Sequence, residues 1–200
     1  MPWGMSRSLR AVASVVALAS CFAFAREASA QSIIKNPGDH VKGGVELEPH
    51  LVLSPFNTPY NDLGLGLGFR ASIPIVDNGF VSTINNNVAI GFGLDWMRYR
   101  GCDWSDCDSI NHFAVPVVMQ WNFFLTKAWS VFAEPGLALN FHTGFDCDNY
   151  RDRFGRRYGC YRDNRVDPTL FVGGRWHFSQ YTTLTMRIGW PYWSIGVSFL

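Results

Sequence analysis

The sequence predicts an all-β fold, an eight-stranded antiparallel up-and-down transmembrane β-barrel, and three observations carry that expectation. Bulky apolar side chains alternate with small or polar ones along segment after segment, the period of two that an extended chain imposes on its faces. Eight such segments of about ten residues follow residue 43, the length a tilted strand needs to cross a bilayer. The connections between them alternate in length, and short turns on one side with long loops on the other are the pattern of outer-membrane barrels.

Residues 1–30 stand apart from these strands. Arg7 and Arg10 form a basic start, Ala11 to Ala25 an apolar run and Ala28-Ser29-Ala30 a small-residue cleavage site, which together read as a signal peptide. The run is short of the roughly 20 residues a membrane helix needs. A rival reading is Leu18-Ala19-Ser20-Cys21 as a lipobox, with Cys21 lipidated. Without residues 1–30, 14 basic residues face 15 acidic ones, a net charge of −1. No basic excess recommends nucleic acid as a partner. Charged residues make up 16% of the chain, against roughly 25% in soluble domains, so little of its surface is built for water.

Residues 31–43 read as a polar, irregular periplasmic lead-in, and residues 44–200 as the barrel. The first strand, Gly44 to Leu53, turns Val45, Leu47, Leu51 and Leu53 outward and Glu46, Glu48 and His50 inward. After a turn over Ser54 to Asn61 comes the clearest segment, Asp62 to Ile75. There Leu63, Leu65, Leu67, Phe69, Ala71 and Ile73 share one face, and Gly64, Gly66, Gly68, Arg70 and Ser72 the other. Glycines opposite leucines suit a crowded interior with lipid on the greasy side, whereas a secreted lipocalin-like barrel would put its bulk inside.

Asp77-Asn78-Gly79 and Phe80 to Asn87 form the next connection. Val88 to Met97 is the third strand, with Val88, Ile90, Phe92, Leu94 and Trp96 outward and Asp95 inward. Arg98 to Asn111 reads as a long loop. The fourth strand, His112 to Phe123, points Ala114, Gln120 and Asn122 inward. Leu125 to Lys127 turns into the fifth, where Ser130, Glu134, Gly136, Ala138 and Asn140 face in. Thr143 to Asp167 is the longest loop. The sixth strand carries Thr169, Gly173, Arg175 and His177 inward. Ser179 to Tyr181 leads into the seventh strand, which ends at Trp190, and Pro191 turns into the eighth, Trp193 to Phe199. Pro49, Pro116 and Pro135 fall inside strands, where a missing N–H removes a ladder bond, so bulges or displaced strand ends are expected there.

The signal, the alternating strands, the one-sided short turns and an aromatic close to the C-terminus resemble the small outer-membrane barrels of the OmpA transmembrane and OmpX type. That resemblance implies an outer-membrane location, a monomer, contact with outer-membrane lipid and lipopolysaccharide, and assembly by the barrel assembly machinery. Members commonly end in Phe; here Phe199 is penultimate, before Leu200.

Candidate site residues fall into three groups. The inward charges Glu46, Glu48, Arg70, Asp95, Glu134, Arg175 and Arg187 share a lumen only wide enough for its own side chains. Opposite charges should pair there, since an unpaired buried charge costs several kcal/mol. Counting back from the turns puts Glu46 near Arg70 and Glu134 near Arg175, with the others at different depths. The second group is Cys102, Cys107, Cys147 and Cys160, an even number in an oxidising compartment. Two disulfides within their own loops are the simplest pairing, cross-loop pairing stays open, and zinc is a rival without a companion His pair. The third group is Arg151, Arg153, Arg156 and Arg157, with Arg162 and Arg165, able to bond lipopolysaccharide phosphates. Interleaved Asp103, Asp106, Asp108, Asp146, Asp148 and Asp152 lack an EF-hand spacing, so no calcium site is expected.

His177-Phe178-Ser179 is reminiscent of lipid A deacylases, but no acidic residue follows Asp167 to orient the histidine. The function expected is therefore a structural or surface-interaction role through disulfide-tied extracellular loops, over a lumen plugged by ion pairs. A narrow channel for small polar solutes is the alternative. No enzyme, cofactor or metal is expected.

Overall fold

A computed structural model of the chain describes residues 31–55, 63–102, 107–143 and 164–200. Its strands are β1 (Glu46–Ser54), β2 (Gly64–Val76), β3 (Asn86–Cys102), β4 (Cys107–Phe124), β5 (Trp129–Thr143), β6 (Arg165–His177), β7 (Thr182–Trp190) and β8 (Trp193–Phe199). Each pairs antiparallel with the next, and β8 pairs back onto β1, so the sheet closes as the expected eight-stranded barrel. Among the described residues, closure leaves no edge strand.

The two faces divide as the alternation requires. Leu47, Leu51, Leu65, Leu67, Phe69, Ile73, Phe92, Leu94, Leu137, Leu170, Val172 and Ile188 stand exposed on the outer wall. Glu48, Arg70, Ser72, Asp95, Gln120, Glu134 and Arg187 are buried within. The interior is not only glycine and charge. Val52, Met97, Tyr99, Ala114, Phe171 and Tyr192 form a buried cluster, and Phe132 also points inward.

Several boundaries differ from the sequence reading. The hairpin of β3 and β4 continues through the stretch expected as a loop, pairing Arg98 with Asn111 and ending with Cys102 opposite Cys107. Tyr99 explains the extension. It keeps the inward parity of Met97, is buried, and donates its hydroxyl to Met97 Sδ at 3.7 Å. β6 likewise starts four residues before Thr169, with Val166 paired to Leu139. Val88, expected to face outward, is fully buried. Its register partner is Trp121, and the β2–β3 connection turns back over this end of the wall, setting Phe80 against Trp121 at 5.5 Å.

The prolines are accommodated without the bulges expected at them. The β1–β8 ladder passes from Leu47↔Phe199 to His50↔Gly196 in one register, leaving Pro49 opposite a gap. The β3–β4 ladder does the same between Phe92↔Val117 and Asp95↔Ala114, at Pro116. The β4–β5 ladder does so between Val118↔Gly136 and Trp121↔Ala133, at Pro135. Each proline thus sits where one ladder opens, while its other neighbour strand stays paired through Pro49↔Phe69, Pro116↔Ala138 and Pro135↔Leu170. Among the described residues, the register shifts elsewhere, between Pro74 and Val76 of β2.

Residues 32–43 carry no strand but are folded against one mouth of the barrel. Ile33 is 4% exposed, its N–H donates to Leu125 O at 3.0 Å, and Asn85 N–H donates to Ile34 O at 2.7 Å. The His40 ring stacks on Phe124 at 4.3 Å and its Nδ1 lies 2.5 Å from Asn85 Oδ1. This strap therefore ties the β2–β3 and β4–β5 connections together.

Candidate functional site: the polar lumen

Inward parity brings one residue or more from almost every strand into one hydrogen-bonded network. Glu48 and His50 come from β1, Arg70 from β2, Asp95 from β3, Gln120 from β4, Glu134 from β5 and Arg187 from β7. Tyr192 enters from the β7–β8 turn and Ser198 from β8. Arg187 is the hub: Nη2 donates to Glu48 Oε2 at 3.0 Å, Nη1 bonds Glu48 Oε1, and Nε donates to Glu134 Oε2 at 3.0 Å. Arg70 Nη1 reaches the same Glu134 oxygen at 2.8 Å, and Gln120 Nε2 donates to Glu134 Oε1 at 2.8 Å. Ser198 Oγ adds a bond to Glu48 at 3.0 Å.

The network continues toward the other mouth. Arg70 Nη2 lies 3.2 Å from Tyr192 OH and 3.6 Å from Asp95 Oδ2, and the Tyr192 hydroxyl donates to Asp95. His50 Nε2 sits 2.8 Å from Asp95 Oδ1. Gly68 makes room for that contact, since a Cβ there would fall 2.2 Å from both atoms. The carboxylates Glu48, Asp95 and Glu134 outnumber the guanidiniums Arg70 and Arg187 by one. These charged side chains are at most 3% exposed, so each oxygen bonded here replaces the water it lost. Aromatic faces supply the rest of the packing: Arg187 Cζ lies 5.3 Å from the Phe132 ring and Arg70 Cζ 5.7 Å from Phe171.

A second layer lies toward the strap. Arg175 Nη1 donates to Glu46 Oε2 at 3.0 Å, with Arg175 Cζ 5.3 Å from the Phe132 ring. His177 is held on both nitrogens, 2.9 Å from Ser130 Oγ and 2.9 Å from Thr183 Oγ1. Ser179 takes no part: its Oγ accepts the Tyr181 N–H at 3.1 Å in the turn. The hydroxyls that meet the imidazole are thus those of Ser130 and Thr183, which are 1% and 4% exposed.

The pairings differ from those counted from the turns. Glu46 binds Arg175 and not Arg70; Glu134 binds Arg70 and Arg187 and not Arg175. Glu48, Asp95 and Arg187, expected at other depths, share the cluster with Arg70 and Glu134. The register explains it. Glu46 stands opposite Ser72, and Arg175 opposite Ser130, so hairpin partners do not carry matching charges, and long side chains meet across the lumen instead. Tyr192, Phe132 and Phe171 are missed by the sequence reading, Tyr192 because it sits in a turn and the two phenylalanines because bulky apolar side chains are read as facing lipid. Yet Tyr192 keeps the inward parity of Ser194 and Ser198, and Phe132 that of Ser130 and Glu134.

The cysteines and the loop arginines enter less fully. Cys102 and Cys107 are backbone register partners at the end of the β3–β4 hairpin. Cys147, Cys160, Arg151, Arg153, Arg156 and Arg157 lie outside the described residues, as does the 1–30 segment.

Fold and lumen together define a closed eight-stranded barrel with an apolar exterior and an ion-paired interior. No family model matches the chain, and no curated protein does. Among solved structures it is similar to the backbone structure of the Yersinia pestis outer membrane protein Ail in a phospholipid bilayer nanodisc. That likeness has 10% sequence identity and a TM-score of 0.42, and covers 77% of this chain and 97% of that one.

Proposed function

We propose that this chain is a monomeric outer-membrane barrel, exported by a signal peptide over residues 1–30, that performs a non-catalytic structural or surface-interaction role. The observation that carries the reading is the inversion of its faces. Three arginines and three carboxylates are buried inside, while Leu51, Leu65, Leu67, Leu137, Leu170 and Ile188 are each more than half exposed outside. Soluble monomers rarely expose apolar patches larger than a few hundred Å², and acyl chains are the solvent that suits a wall of such side chains. Aromatic rings gather near its borders, with Trp129 stacked on Trp176 at 5.7 Å on one side and Trp96, Trp190 and Trp193 toward the other, as interfacial girdles do.

The lumen is a plug in this reading, since Arg70, Arg187 and Glu134 with Phe132, Phe171 and Tyr192 fill its middle. Activity then belongs to the extracellular connections. A Cys102–Cys107 disulfide and a Cys147–Cys160 disulfide would brace them, and Arg151, Arg153, Arg156 and Arg157 would meet lipopolysaccharide phosphates. The barrel assembly machinery would insert the chain.

Membrane fractionation with heat-modifiable gel mobility tests this. The protein should sediment with the outer membrane and migrate faster unheated than boiled; a monomer recovered from the soluble fraction without detergent overturns the reading. In planar bilayers the wild type should pass no steady current, and a stable ohmic conductance would replace the plug by the narrow channel.

A further inference from the structure

Between the strap and the Glu46–Arg175 layer lies a chamber of about 540 Å³, within the size range of small-molecule sites. Its walls combine the strap, through Ile33 and His40, with the inner faces of several strands. Buried polar atoms that lack a hydrogen-bond partner gather in four of its lining residues: Arg175 Nε and Nη2, Glu46 Oε1, Gln120 Oε1 and Asn122 Oδ1. Buried polar groups ordinarily find partners, and such a concentration marks a place where something else supplies them.

The orientation of each group is fixed by the bond it does make. Arg175 spends Nη1 on Glu46, which leaves the Nε–Nη2 edge, a fork whose spacing matches a carboxylate. Gln120 donates Nε2 to Glu134, and Asn122 donates Nδ2 at 2.7 Å to Asn87, so both amides keep their oxygens for an incoming donor. Glu46 Oε1 adds a third acceptor. Arg175, Gln120 and Asn122 are 5%, 1% and 3% exposed, so these are built positions and not surface side chains.

We propose that this chamber is a binding site for a small zwitterion, an amino acid or dipeptide. Its carboxylate is taken by the free edge of Arg175, and its ammonium by Gln120, Asn122 and Glu46. The strap forms the outer wall of the site, so the ligand enters from the strap's side of the membrane and does not cross the plugged lumen.

Isothermal titration of the full mature chain in lipid nanodiscs tests the assignment, with glycylglycine and L-alanine as ligands and inorganic phosphate, acetate and glucose as comparisons. Saturable binding of a zwitterion at about 1 mM or tighter is expected, with each comparison at least about tenfold weaker. The double variant Glu46→Gln/Arg175→Gln removes both charges together, and Ala89→Leu narrows the chamber with no change of charge. Both should weaken zwitterion binding about tenfold or more while heat-modifiable mobility is retained, and Arg98→Gln at the opposite mouth should leave it unchanged. Phosphate binding as well as glycylglycine, or no binding by any solute, would mean an anion site or a water-filled space and would overturn the proposal. If the double variant does not fold, Ala89→Leu alone decides. An unaltered affinity there overturns it too.

Discussion

Glu134 shows how much one side chain can carry in a closed interior. It accepts from Arg70, Arg187 and Gln120 with no exposure at all. Glu134→Gln removes the carboxylate that Arg70 and Arg187 share, leaving Arg187 to Glu48 and Arg70 to Asp95 at 3.6 Å, and a loss of about 3 kcal/mol is expected in urea unfolding from lipid vesicles. Arg165→Ala, in contrast, removes a pair with Asp167 whose arginine is 54% exposed, and should cost less than about 1 kcal/mol. Glycines divide in the same way. A Cβ on Gly93 would sit 2.2 Å from Phe69 O, so Gly93→Ala must push β2 and β3 apart and should cost about 1 to 3 kcal/mol. Gly174→Ala meets nothing within 4 Å and should be silent in the same assay. At this scale the period of two tells which face Glu48, Arg70 or Asp95 occupies. It carries no information about partners, because those depend on register and on reach across the lumen. Tyr192 was hidden for a different reason: it sits in a turn, where alternation is not expected to hold, and yet it keeps the parity of β8.

At the scale of the strand, the instructive residues are the prolines. Each lacks one donor, and each of the three sits where a single ladder opens while register is preserved on both sides. Pro135→Ala should therefore shift the unfolding midpoint by no more than about 1 kcal/mol. Val131→Pro, at a position paired with both Phe123 and Gly174, should cost about 3 kcal/mol or more and reduce the yield of heat-modifiable barrel. The number and order of strands were legible because apolar alternation is strong in every one. Their ends were not. Arg98 to Cys102 reads as polar loop, yet it continues a ladder, since a hairpin's backbone pairs regardless of how hydrophilic its outer side chains become. The strap was equally hidden: a lone Ile33 in a polar stretch gives no periodic signal, and its burial depends on the Phe124 end of β4, distant in sequence.

For the molecule as a whole, the face inversion makes a depth-dependent prediction. Val172 lies near the middle of β6 and Val166 near its start, both more than half exposed. Val172→Arg should destabilise the vesicle-inserted protein by about 2 to 4 kcal/mol and Val166→Arg by about 1 kcal/mol or less, because a charge near the interface can reach water. Equal, small effects at both positions would argue against lipid around the belt.

The cross-lumen contacts also constrain the order of assembly. Arg187 with Glu48 joins β7 to β1, Glu134 with Arg70 joins β5 to β2, and Arg175 with Glu46 joins β6 to β1. None of these links adjacent staves, so no hairpin forming alone can satisfy its charges. Until the first stave meets the last, the growing sheet carries naked ions toward a greasy medium; afterwards they cancel one another. Circularisation is thus the event that makes the interior tolerable, and a chain halted one hairpin short should be rejected by the bilayer rather than held in it.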